Sequence, residues 1–157
     1  METEHKTFSN PQQKRKMKIA VIGSRDFNDK ERLFSILDKN YNKIEMIISG
    51  GAKGADELGR LYAQERGFPC IIYYPRWHTI DAQYDRGAGF KRNHQIIRDA
   101  DIVVAFWDGE SRGTKHSLDL AESLGKKVRI FKFKKEVMEK KANKMTQKEK
   151  DYFTGSL

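Results

Sequence analysis

Apolar residues run through this chain in five short blocks, and between the blocks they recur every three or four positions. The blocks "MKIAVIG" (17–23), "IEMIIS" (44–49), "PCIIYY" (69–74), "DIVVAFW" (101–107) and "KKVRIFKF" (126–133) have the length and β-branched content of buried strands. The segment after the first block places Leu33, Phe34, Ile36, Leu37 and Tyr41 at helical spacing, and Asn28 with Glu31 has the spacing of a capping box at its start. A second helix is predicted to put Ala55, Leu58, Leu61 and Tyr62 on one side and to close at Gly67 in a left-handed cap. "GFKRNHQIIRDA" (89–100) turns Phe90, Ile96, Ile97 and Ala100 inward, and "KHSLDLAESLG" (115–125) supplies a fourth helix.

Strands that alternate with helices predict a parallel sheet covered on both faces. Because helical crossovers on such a sheet are right-handed, the expected architecture is an α/β, Rossmann-like, doubly wound, mainly parallel five-stranded sheet with helices on both faces. Ligands of such sheets bind beyond the carboxyl ends of the strands. The unusual residues of this sequence occupy those ends: Gly23, Ser24 and Arg25 after the first block, Ser49 to Asp56 after the second, Pro75 to His78 after the third, and Asp108 to Thr114 after the fourth. A glycine after any one strand is explained by backbone need alone; several in register point to a site.

The turn "SGGAKGAD" (49–56) carries Ser49, Gly50, Gly51, Gly54 and Asp56, and almost no side chain at its tip. Glycines let backbone N–H groups approach an anion, and the start of the next helix adds unpaired donors, so the turn is expected to keep room for a phosphate. It is neither a P-loop nor a G-x-G-x-x-G fingerprint. The loop "DGESRGT" offers Asp108, Ser111, Gly113 and Thr114 before its own helix. Two helix starts facing one ligand predict a nucleotide-like small molecule as partner.

Charge is the next constraint. The 157 residues carry a formal net charge of +9. Residues 1–18 hold five Lys or Arg against two Glu and residues 132–157 eight against four, whereas residues 19–131 hold 18 against 16. The basicity therefore lies mostly in the tails, which lowers the case for a nucleic-acid groove on the body and leaves weak, salt-sensitive nucleic-acid contact through the tails. The expected organisation is a flexible basic tail (1–17), one nucleotide-binding domain (18–133), and a basic C-terminal tail (134–157), in which Val137, Met138, Ala142 and Met145 fit either an amphipathic helix, docked on the body or on a second subunit, or a solvated segment. No apolar run approaches the roughly 18 residues of a membrane span, and no secretory signal pattern opens the chain, so a cytoplasmic location is expected. Cys70 is the only cysteine, a small buried hydrophobe by its context, and His78, His94 and His116 lack metal spacing. No cofactor is implied beyond Mg²⁺ carried by ligand phosphates and Asp108.

"GSRDF", "SGGAKGAD", "PRW", "AGFKRN" and "ADIVVAFWDGESRGTKHSLDLA", in this order between about Lys18 and Phe133, together resemble the SLOG superfamily of Rossmann-like nucleotide-binding domains, in particular its YspA/YpsA-related branch. Two relatives pull the function apart. LOG-type phosphoribohydrolases cleave the N-glycosidic bond of a nucleoside monophosphate, and DNA-processing protein A binds DNA with a similar motif series. The hydrolases carry P-G-G-x-G-T-x-x-E; this chain keeps Gly113 and Thr114 but has Ser117 where the glutamate falls. A serine cannot supply the carboxylate that glycosidic cleavage needs, although Asp56, Asp108 and Glu110 are nearby. The resemblance thus implies a binding protein (sensor, carrier or sequestering protein), with a LOG-like hydrolase and a single-stranded DNA binder as alternatives. It implies ligand contacts for Arg92 and Asn93, for which a salt bridge and a helix cap are the bland readings. Arg25 is read as a phosphate donor or as a partner of Asp26 or Asp56, and Trp77 as a base-stacking ring or a cover over the core edge.

Overall fold

A computed structural model describes residues 15–135. Alternation within the first apolar block sets the architecture: in β1 (Met17–Gly23), Ile19 and Val21 join one buried cluster and Ala20 and Ile22 join another. The same split recurs in β4 (Ile102–Trp107), where Ile102, Val104 and Phe106 face one way and Val103 and Ala105 the other. A strand buried on both faces needs a layer on each. β2 (Ile44–Ser49), β3 (Cys70–Ile72) and β5 (Lys127–Lys132) complete one sheet in the order β3-β2-β1-β4-β5, and every pairing is parallel.

The four helices are α1 (Lys30–Asp38), α2 (Ala55–Arg66), α3 (Ala88–Asp99) and α4 (Arg112–Ser123). From β1 the chain steps outward through α1 and α2, which pack on the Ile19/Val21 face; then α3 carries it back across to β4 over the Ala20/Ile22 face, where α4 joins it. The direction of travel reverses between β1 and β4. Loops following these two strands diverge to opposite faces, and the gap between them is the natural crevice of an open α/β sheet.

Local chemistry modifies several expectations. The cap of α1 is Asp29, whose side chain accepts from the Arg32 N–H at 3.1 Å, so Asn28 stands outside the helix and no Asn28–Glu31 box forms. Tyr41 falls in a short 3₁₀ turn (Tyr41–Lys43) and stays exposed. β3 ends at Ile72, two residues before the end of its apolar block. Phe90, expected inward, is 54% exposed, because its position on α3 turns it toward His116 of α4 with ring centroids 4.5 Å apart. Gly67 does close α2 at φ 79°. Cys70 is half-buried, and burial pushes its thiol above the ordinary value. The expectations for residues 1–14 and 136–157, the amphipathic segment included, lie outside the described residues. Among the described residues no helix is long and apolar enough to cross a membrane.

Candidate functional site

β1 and β4 end side by side, with Gly23 opposite Phe106, and a cleft of about 500 Å³ opens beyond them. Ser24 ties its walls together. Its N–H donates to the Phe106 carbonyl at 2.9 Å, its own carbonyl accepts from Ala55 N–H at 3.3 Å, and its hydroxyl accepts from Asp108 N–H at 3.2 Å. Three loops far apart in sequence therefore meet on one residue that is 1% exposed. Gly23 makes the meeting possible: a Cβ there would lie 2.7 Å from the Ala55 Cβ and against the Phe106 carbonyl.

The turn after β2 is built differently from the phosphate cradle expected of it. A Cβ at Gly50 would stand 2.7 Å from Asp56 Oδ2 and 3.0 Å from Arg92 Nη1, and one at Gly51 (φ 72°) would stand 2.7 Å from the Tyr74 ring. Gly54 (φ 81°) lies under the Ser24 and Arg25 carbonyls. Its glycines make room for other parts of the protein. The donors are used internally too: Gly51 N–H reaches Ser49 Oγ at 3.3 Å and Ala52 N–H reaches Asp56 Oδ2 at 3.3 Å, while the Ser49 hydroxyl donates to the Asp56 carbonyl at 2.9 Å. Of this segment only Ala52 and Asp56 line the cleft; Ser49, Gly50, Gly51 and Gly54 stand behind it.

Asp56 sits inside this turn, one carboxyl oxygen accepting from the Ala52 N–H. It is 8% exposed, and burial pushes it up to about 6 against the opposing pull of the Ala52 N–H and the Arg92 and Arg25 guanidiniums. Arg92, in the second turn of α3, is strapped across this turn. Its Nη1 donates to the Gly50 carbonyl at 2.5 Å and the Tyr73 carbonyl at 3.4 Å, and its Nε donates to Asn93 Oδ1 at 2.9 Å. Burial draws this guanidinium below its ordinary value, with Asp56 opposing. Arg92 thus has a structural task that the sequence left open, and it still lines the cleft beside Asn93.

The loop after β4 faces the cleft more openly. Asp108 Oδ1 accepts from the Glu110 and Ser111 N–H groups, each at 2.8 Å, and Ser111 caps α4 through Thr114 N–H at 3.4 Å. Burial raises Asp108, but those N–H groups and the Ser24 hydroxyl outweigh it and hold the carboxyl below its usual value. Its acceptor capacity serves the loop. Gly113 has nothing within 4 Å of where a Cβ would sit, and Thr114 and Ser117 are buried yet line the wall.

Arg25 lines the cleft and forms no ion pair among the described residues; Asp26 is paired with Lys135 at 3.0 Å instead. Trp77 is outside the cleft, 41% exposed and stacked on Tyr84 with centroids 6.0 Å apart and planes 8° from parallel. Sequence reasoning missed Ile22, Ala52, Ile96 and Lys135 as lining residues, and it named Asp26, Glu110 and Ser117 only in other roles. Ile22, Ala52 and Ile96 read as core or spacer; Lys135 has no motif, and only the β4–β5 pairing brings the end of β5 to the site. No group of three metal-binding side chains occurs among the described residues.

The cleft therefore presents three cations (Arg25, Arg92 and Lys135), four carboxyls (Asp26, Asp56, Asp108 and Glu110), and the start of α4. Cations and carboxyls are thus nearly balanced on the cleft walls. Residues 17–79 match the model of the YspA, cpYpsA-related SLOG family. "Gene 61 protein" of Mycobacterium phage D29 is 28% identical over 116 residues, 69% of this chain and 90% of that protein. DNA processing protein A from Helicobacter pylori, whose structure is described for its single-stranded DNA binding mode, superposes with a TM-score of 0.61 at 20% identity over 88% of this chain and 73% of that one. DNA processing protein A from Streptococcus pneumoniae gives 0.64 at 17% identity over 82% of this chain and 54% of its own length. The two structures share the fold, and the segment that holds β1, β2 and β3 is similar to the YspA, cpYpsA-related SLOG family.

Proposed function

We propose that the chain binds a nucleotide or nucleotide-derived small molecule in the cleft between the β1 and β4 loops, as a sensor, carrier or sequestering protein. The observation that carries this reading is the open start of α4: Ser111, Gly113 and Thr114 line a cleft at the sheet's reversal point, with Arg25, Arg92 and Lys135 on the other walls. A phosphate at the helix start leaves the sugar and base to run toward Asn93 and Ile96. No catalytic role is assigned, since Ser117 stands at the hydrolases' glutamate position and Asp108 is held by its loop.

A panel of nucleotides added to the full chain in a thermal-shift assay is the direct test, beside mass spectrometry of any small molecule that copurifies. At least one nucleotide should raise Tm, and the rise should keep growing with the logarithm of its concentration above Kd. Gly113→Val should abolish that rise while changing the unliganded Tm little, because the new side chain meets only the cleft. Arg92→Ala should do both: lower the unliganded Tm, by about 2 kcal/mol of stability for the lost straps, and weaken the ligand response. A panel without any shift, or a shift indifferent to Gly113→Val, rejects the cleft as the site. Single-stranded DNA binding is a second reading, favoured by the fold shared with DNA processing protein A. It predicts that an oligonucleotide competes with the nucleotide at near-physiological salt, and the nearly balanced charge of the cleft argues that it will not.

A further inference from the structure

Asp38, Asp85, Asp99 and Asp108 show what keeps an aspartate of this chain charged. Asp38 meets Arg66 at 3.0 Å and the Tyr62 hydroxyl at 2.8 Å, Asp85 meets Lys91 at 2.8 Å and the Gly87 N–H at 2.9 Å, and Asp99 meets Arg98 at 3.0 Å. Asp108 accepts two N–H groups at 2.8 Å each. Asp56 has less. It is 8% exposed, forms no ion pair among the described residues, and has one N–H within hydrogen-bond reach, that of Ala52 at 3.3 Å, with a weaker pull from the Gly50 N–H. A carboxylate has room for about four hydrogen bonds, and burying it with most of them unfilled favours the neutral acid. Burial accordingly raises Asp56 to about 6, whereas the other four are held below their ordinary value.

Its place in the fold makes that proton available to a ligand. Asp56 stands in the first turn of α2 and lines the cleft. The charged groups that face it are Arg92 of α3 and Arg25 after β1; its neighbour Glu57 is exposed and tied to Arg60 at 2.6 Å. The same walls also carry Asp108, Glu110 and the Asp26–Lys135 pair. Among the described residues no histidine lines the cleft, and Asp108 is committed to its loop, so Asp56 is the wall group set to change charge near neutral pH. With Asp56 ionised the walls carry four carboxylates against three cations, and an arriving anion meets net repulsion. With a proton on Asp56 the count is three against three, and the carboxyl gains an O–H donor.

We propose that the cleft takes up its anionic ligand together with one proton, which the Asp56 carboxyl holds. This rests on the cleft being the nucleotide site and makes Asp56 a ligand contact in its acid form. A proton from solvent joins one carboxylate oxygen, the other keeps the Ala52 N–H, and Arg25 and Arg92 are left to face the ligand's phosphate. A carboxyl that only pinned the turn would be replaced without loss by an amide oxygen, and ligand binding would be indifferent to its charge.

Sulfate is the probe for the test, because it stays a dianion at mildly acidic pH, where a phosphate monoester itself titrates. Its binding to the full chain is read from the NMR shifts of the Gly113 and Thr114 amides, which line the cleft at the start of α4. Affinity should rise about five- to tenfold from about pH 7.5 to about pH 5. Asp56→Asn keeps the shape and a donor with no charge to lose. It should bind sulfate at about pH 7.5 as tightly as the native chain does at about pH 5, with little further gain on acidification. Equal affinity of the native chain at both pH values, or a pH dependence that survives in Asp56→Asn, overturns the inference and leaves the cleft standing as an anion site. Amides that show no saturable shift at either pH remove the cleft and the inference together. A second measurement needs no variant: the Asp56 carboxyl carbon of the native chain should titrate at higher pH with saturating sulfate than without it, and an unmoved midpoint overturns the inference.

Discussion

The turns after β2 and β4 read alike in sequence, each rich in glycine, serine and aspartate before a helix, yet the folded chain uses them in opposite ways. In the first, the space freed by Gly50, Gly51 and Gly54 is filled by Asp56, Arg92, Tyr74 and the backbone after β1. In the second, the places where side chains would stand at Gly109 and Gly113 meet nothing within 4 Å. One turn is closed around protein atoms and lends the cleft a buried carboxyl; the other stays open and lends it a helix start. A glycine-rich turn thus signals close approach without saying whether a ligand or the protein itself is approaching.

Substitution should separate the two turns sharply. Gly54→Val meets the Ser24 and Arg25 carbonyls at a φ of 81°, and steric overlap and backbone strain together should cost about 4 kcal/mol, read as a large fall in the urea midpoint. A near-native midpoint would mean that this turn is not closed.

The next effect concerns pH. The folded chain holds Asp56 at about 6, above the ordinary carboxyl value, so the fold binds this proton more tightly than the unfolded chain does. That contribution is fully present at pH below about 4 and is lost as pH rises through about 6, by on the order of 3 kcal/mol. Carboxylates held low, such as Asp38, Asp85 and Asp99, act in the opposite sense at lower pH, so the difference between the native chain and Asp56→Asn isolates the effect. Denaturant midpoints between pH 4 and 7 should show the native chain losing ground to Asp56→Asn; parallel curves would place this carboxyl in water.

Gly113→Ala should have the smallest effect and the opposite sign. In the first turn of α4, with open space around it, alanine should leave the midpoint unchanged or raise it by up to about 1 kcal/mol. A fall of that size would close the comparison's open side.

The fold was legible because a doubly covered parallel sheet writes itself as apolar blocks separated by helical periods, and the blocks at 17–23, 44–49 and 101–107 coincide with strands. Errors fell where tertiary contacts decide. Asp29 competes successfully with Asn28 for the cap, Phe90 finds His116 instead of the core, and β3 stops at Ile72 on a sheet edge where pairing on one side alone supports it. Sequence reading named Gly23, Ser24, Arg25, Asp56, Arg92, Asn93, Asp108, Ser111, Gly113 and Thr114 as ligand contacts because the topology rule points to strand ends, and the fold gathers these ten around one cleft. It also assigned Gly50, Gly51 and Gly54 to a ligand, since spacing shows that an approach occurs and not what approaches. Trp77 was ambiguous for a related reason: only the folded loop reveals that its face is taken by Tyr84.

The pairing of β1 with β4 also sets when the cleft can exist. Ile19 meets Ile102 and Gly23 meets Phe106 across more than half of the chain. As a ribosome releases the polypeptide from its amino end, β1, β2 and β3 with α1 and α2 emerge first, and they make up most of the segment, 17–79, that matches the family model. At that stage Gly23 and Ser24 have no Phe106 carbonyl beside them and no Asp108 loop to hold. The binding wall is completed only after β4 inserts next to β1, a long-range closure of the kind that folds slowly. A nascent chain stalled before residue 101 would therefore display the segment that matches the family model with one edge of β1 bare and no cleft beside it.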